Sequence, residues 1–154
     1  MNIFVLDKDP VKAAEMQCDK HVVKMVLETA QLLCSAFDKA PYKKTHYNHP
    51  CSVWVRESPA NYKWLIQHGL ALADEFELRF KKPHASRKVI EWCAEQFNTN
   101  PPVFKTNNGL TPFAQAMPEN LRTQNAVVAY RTYYKTAKSE IAKWTHGRQQ
   151  PNWW

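Results

Sequence analysis

Glycine is scarce in this 154-residue chain, with three residues, and proline is moderate, with ten. That excludes the run of tight turns that an all-β protein needs. The four cysteines (Cys18, Cys34, Cys51, Cys93) form no Cys-x-x-Cys pair, which argues against a disulfide framework and points to reduced, buried thiols in a cytoplasmic protein. Long apolar runs are missing as well. The longest, Val22 to Phe37, is interrupted by Lys24 and Glu28 and is too short to span a bilayer, so no membrane association is expected. Acids are outnumbered: 14 against 21 lysines and arginines, a net charge of +7. An excess of this sign and size attracts polyanions, nucleic acid first, although it also suits an ordinary soluble globule.

What is present reads as helix. Asp9-Pro10 and Ser58-Pro59 each place a capping side chain before a proline suited to the first helical position. The first signal opens a helical pattern reaching about Phe37, with a break near Cys18-Asp19; Asn2 to Leu6 is a short extended lead. The second opens a helix to about Phe80, and a third runs from near Ser86 to Phe97. Residues Asp38 to Cys51 and Asn98 to Gly109 read as loops. A short helix is expected at Pro112 to Met117 and a last one over about Thr123 to Trp144. The whole is one all-α domain over residues 1–154, with hydrophobic residues at 44% giving it a core.

His21, Lys24, Glu28, Gln31 and Ser35 follow one another at steps of three and four, so they form a polar seam along an otherwise apolar helix. Such a seam faces a strip of solvent, with Lys24 and Glu28 as an i,i+4 pair, or it lines a cleft. A carboxylate beside an imidazole and an ammonium, walled by aliphatic groups, has the components of tuned acid–base chemistry. His46, His49 and Cys51 have loosely zinc-like spacing but lack a second ligand pair; they read as loop hydrogen-bonding groups, and no metal or cofactor is expected. On the last helix Val127, Tyr130, Tyr134, Ala137, Ile141 and Trp144 form a core stripe. Arg131, Lys135, Lys138 and Lys143 lie off it, and with Lys20 they are candidates for phosphate contact. Arg148, Trp153 and Trp154 put a cation and two stacking surfaces at the tail, suited to nucleic acid or to stapling the terminus onto the core.

The segment Cys18 to Leu33 (CDKHVVKMVLETAQLL) resembles the first helix of the phage endonuclease V-type pyrimidine-dimer DNA glycosylases, whose Asp-x-His is followed, seven residues after the His, by a catalytic Glu. Asp19, His21 and Glu28 stand at that spacing. Trp64 to Glu75 is similar to the family's second long helix, and Pro151, Trp153 and Trp154 to its closing motif. The resemblance implies a compact fold of three main helices with long loops. It also implies cleavage of the base–deoxyribose bond in double-stranded DNA carrying a damaged or modified base, then strand scission at the abasic site, by a chain acting as a monomer. Glu28 is then the catalytic carboxylate and His21 a proton shuttle or a holder of the leaving base, with Asp19 orienting it and Gln31 in support. A non-catalytic DNA-binding protein on the same fold and an N-glycosidase of small nucleotides are the alternatives.

The sequence departs from that family at two points. The phage-type members expose a small residue by losing methionine and use its α-amine as nucleophile, whereas this chain reads Met1-Asn2. Leu27 and Gln31 stand where the family has arginines. An α-amine has a reference pKa of about 7.7–8.0 against about 10.4 for a lysine, which ranks Met1 above Lys24 as a nucleophile. The Met1 amine needs only a short path through Asn2 and Ile3 to approach Glu28, but the leader before Asp19 is longer than in the phage type, which allows the terminus to lie elsewhere. On balance the sequence favours water attack and weak strand scission.

Overall fold

The computed structural model describes residues 1–154 and contains helices and no strands. In chain order these are α1 (Pro10–Met16), α2 (Asp19–Cys34), α3 (Pro50–Val55), α4 (Pro59–Phe80), α5 (Arg87–Thr99) and α6 (Ala126–Ala137), with one 3-10 turn at Glu119–Leu121. The local signals act as expected. Asp9 accepts from the amides of Val11 and Lys12 and Ser58 from that of Asn61, each ahead of a proline. α4 stops at Lys81, whose φ of 62° takes the left-handed conformation common at helix ends.

α2, α4 and α5 pack into the core, and α1 lies along α4. Gly69 lets α4 approach the other two: a Cβ there would stand 2.7 Å from Thr29 Cγ2 and 3.0 Å from Ile90 Cδ1. The break between α1 and α2 is held by Arg79, a fully buried cation. It donates to the carbonyls of Glu15 and Gln17 and to the carboxylates of Glu75 and Asp19. The carbonyls left open where α1 ends thus gain a charged donor.

Three segments differ from the sequence expectation. Pro50–Val55 is helical, because the His49 imidazole accepts from the Cys51 amide and caps a six-residue helix too short to show a period. The segment Pro112 to Met117 is not helical: its backbone bonds to side chains instead, with Ala114 and Ala116 held by the Tyr130 hydroxyl and Ala116 also by Asn2. α6 ends at Ala137 rather than near Trp144. Beyond it the Asp19 amide bonds to the Lys143 carbonyl and the Trp144 indole to that of Met16, which turns the chain back onto the α1–α2 junction. No helix is long and apolar enough to cross a membrane.

The leader has no regular structure, yet Asn2 to Leu6 are all buried. Phe4 sits at a φ of 57°, which costs a non-glycine residue about 1–2 kcal/mol. Asn2 offsets this: its side-chain oxygen accepts from the amides of Ile3 and Phe4, and its side-chain nitrogen donates to the Ala116 carbonyl at 2.8 Å. The turn so formed fixes where the chain begins.

Candidate active site

A cavity of about 490 Å³ opens between the leader, the middle of α2, the start of α3, the segment around Met117 and α6. Glu28 lies at its base, buried on α2. Its Oε1 accepts from the Asn2 amide at 3.0 Å and stands 3.4 Å from the Met1 α-amine; Oε2 is 3.6 Å from Lys24 Nζ. A carboxylate this far from water needs both hydrogen bonds and opposite charge, and the chain terminus supplies both. Arg122 and Lys138 line the same cavity, so cations surround its one carboxylate.

His21 stands one helical turn before Lys24, its ring stacked on Phe4 with centroids 4.1 Å apart. Nδ1 is 2.5 Å from the Tyr134 hydroxyl, which itself accepts from the Cys18 amide. Burial pushes the Tyr134 phenol well above its ordinary pKa, so it keeps its proton. An imidazole nitrogen accepts that proton better than the Cys18 thiol 3.6 Å away. The phenol therefore donates to Nδ1, which leaves Nε2 as the protonated nitrogen of a neutral ring. Burial, then the charges of Lys138 and Lys24, push His21 down to about 3. It serves as a hydrogen-bond donor at neutral pH, not as an acid that titrates there.

The same physics predicts acid sensitivity. His68, enclosed between the Pro10 carbonyl and Gln17, is held down at about 4 by burial. Both rings are neutral when folded and bind protons near pH 6.5 when unfolded. Their contribution is present above that pH and lost as the pH falls towards 4 and 3. Urea unfolding at pH 4.5 should show about 2 kcal/mol less stability per ring than at pH 7.5. Equal stability at the two pH values would refute the neutral-ring assignment.

The rest of the polar seam diverges from the cavity. Gln31 is half-buried outside it, and Ser35 bonds to the Leu32 carbonyl and to Arg56. Asp19 does not reach His21, because it is bound by Arg79 and Thr145. His46 pairs with Thr45, His49 caps α3, and burial pushes the Cys51 thiol up to about 12. No three metal-ligating side chains come together. His49 nonetheless lines the cavity, with its pKa lowered by burial and then by the nearby α-amine.

Among the candidate DNA contacts, Arg131 donates to the Leu6 carbonyl and Asp7 and lies over Trp153. Arg148 makes a two-pronged pair with buried Glu75. The Trp153 indole points to Met16 Sδ, and Trp154 packs on Trp144 with ring centroids 4.9 Å apart. These four side chains are each engaged in contacts within the fold and are partly buried, while Lys20 and Lys135 are exposed. Removing residues 153–154 should therefore lower the melting temperature by several degrees and change DNA affinity by less than about threefold. A thermal scan and a binding titration check the order, and a larger loss of affinity than of stability would reverse the assignment. Lys138, marked in the sequence as a cation off the core stripe, lies at the cavity, whereas Phe4, Arg122 and Tyr133, also there, carry no local sequence signal that marks them.

No match was found among curated proteins or among solved structures. The model of the family described as pyrimidine dimer DNA glycosylase matches residues 1–88, more than half of the sequence and all of the Met1–Glu28 arrangement, and the chain belongs to that family.

Proposed function

We propose that this protein cleaves the glycosidic bond of a damaged or modified pyrimidine nucleotide in duplex DNA, with the Met1 α-amine as nucleophile and Glu28 as the catalytic carboxylate. The observation that carries this reading is the 3.4 Å approach of that amine to a buried carboxylate on an open cavity. The amine attacks C1′, and the bond from C1′ to the base nitrogen breaks, its electron pair leaving with the base, which takes up a proton. Glu28 accepts the proton that the amine loses and balances the positive charge developing on the sugar. Opening of the sugar ring gives an imine between the amine and C1′. Loss of a C2′ proton from the imine then expels the 3′ phosphate by β-elimination, which nicks the strand.

The Nε2–H of His21 is suited to hold an oxygen of the sugar or of the leaving base. Lys24, Arg122 and Lys138 are suited to flanking phosphates. Water attack, which the sequence alone favours, is less consistent with an amine already beside the carboxylate. A binding-only protein would gain little from burying a charged pair against an open cavity.

Incubation with duplexes carrying pyrimidine dimers, other modified pyrimidines or abasic sites tests the reading. A nicked strand is expected on each substrate, with a freed base only from singly modified pyrimidines, since a base cut within a dimer stays joined to its neighbour; affinity should fall steeply as salt rises from about 50 to 200 mM. Binding without reaction on every duplex would favour the binding-only alternative, and affinity flat with salt would favour small nucleotides.

A further inference from the structure

The second cavity, about 420 Å³, lies outside the chemistry described above, and the part of its wall formed by Val103, Phe104 and Lys105 follows the residues matched by the family model. Val103, at its lip, is 98% exposed. An isolated exposed valine needs no explanation in itself; this one differs in how it is held. Pro101 and Pro102 stiffen the chain before it. After it Phe104 docks against Tyr62 and Phe97, and the amides of Lys105 and Thr106 bond to the carbonyls of Arg56 and Glu57 at the end of α3. A small apolar tip is thus presented rigidly to the outside.

The position of this second cavity relative to the active site is fixed by two elements. Ser35, which lines the second cavity, lies seven residues after Glu28 on the same stripe of α2, about 10 Å away at 1.5 Å per residue. Tyr47 and His49, two residues apart on one loop, line the second and the first cavity respectively. Ten ångströms is about three base-pair steps. The surroundings are cationic. Arg56, stacked on Tyr47 at 3.6 Å, bonds only to Ser35 and the Tyr47 carbonyl, and Lys105 has no carboxylate partner. Lys39 and Lys43 are exposed on the adjoining loop. Of the two acids at this cavity, Asp38 is paired with Lys44 and Glu57 accepts from Thr111.

We infer that Val103 is a wedge, which enters the duplex within about three base-pair steps of the reacting nucleotide and separates neighbouring bases while Arg56 and Lys105 hold the adjacent phosphates. Apolar side chains inserted between base steps unstack and kink DNA, and a glycosidic bond within a duplex is reached by that kind of distortion. The inference rests on the protein acting on duplex DNA. It adds a residue that acts on the helix and not on the bond.

The test uses the full chain with Val103→Ser and Val103→Leu, changes at an exposed side chain that should leave the melting temperature unaltered. Duplexes with a stable abasic analogue and 2-aminopurine placed about one to three steps from it report unstacking by fluorescence. Wild type and Val103→Leu should raise the signal severalfold, and Val103→Ser should not. Borohydride trapping on abasic DNA should fall about tenfold for Val103→Ser on duplex and remain unchanged on single strands. An equal fluorescence rise for wild type and Val103→Ser overturns the wedge, as does an equal loss of trapping on both strands, which would place Val103 in the active site. Absence of trapping in wild type on either DNA would count against the proposed chemistry, while a rise dependent on Val103 would still support the wedge.

Discussion

Glu28→Gln should reduce single-turnover cleavage of a damaged duplex by at least about a thousandfold while the protein stays folded and binds DNA. The substitution keeps the shape and one oxygen, so the Asn2 amide retains an acceptor at the position of Oε1. What disappears is the negative charge between the Met1 amine and Lys24 and the capacity to take a proton from the amine. An amide is also cheaper to bury than a carboxylate, which limits the loss of stability from the missing ion pairs. Activity near that of wild type would remove Glu28 from the mechanism. A protein that no longer folds would make it a structural clamp for the leader. Urea unfolding, a binding titration and the cleavage rate, taken together, separate these outcomes.

The seam at His21, Lys24 and Glu28 was legible in the sequence because helical periodicity is local, and the caps at Asp9 and Ser58 for the same reason. The pairing of Arg148 with Glu75, 73 residues apart, was not, since nothing local distinguishes an arginine held by a buried carboxylate from one free to meet phosphate. The seam also divided where the sequence showed continuity: its first half borders one cavity and Ser35 the other. The departure at Leu27 and Gln31 acquires a meaning only in three dimensions. Leu27 is exposed and Gln31 lies off the cavity, while Arg122 and Lys138, far along the chain, supply cations there. The length of the leader was ambiguous in the same way. Counting residues left open whether the terminus reaches Glu28 or lies elsewhere, whereas the Asn2 turn and the left-handed Phe4 fold the leader back onto it.

Borohydride added during reaction with abasic duplex should trap a protein–DNA crosslink that maps to the Met1 α-amine. An amine nucleophile leaves an imine, which hydride reduces to a stable secondary amine; attack by water leaves nothing to reduce. Two amines stand at Glu28, and geometry separates them. The α-amine stands 3.4 Å from Oε1 and is fixed by the hydrogen bonds of the next residue, whereas Lys24 Nζ is 3.6 Å from Oε2 on a side chain that is 70% exposed. A fixed nucleophile loses less freedom on reaching C1′ than a solvated lysine does, and it stays beside the group that takes its proton. Lys24→Ala should therefore leave trapping within about tenfold of wild type, as expected of a residue that contacts phosphate. Adding two residues before Met1 should abolish trapping, because the amine is displaced from Glu28 by about 7 Å at the usual span per residue. Asn2→Ala should lie between these, losing the turn that aims the amine while keeping the backbone bond to Glu28. A crosslink mapping to Lys24, or full trapping by the extended chain, would move the nucleophile from the terminus to α2.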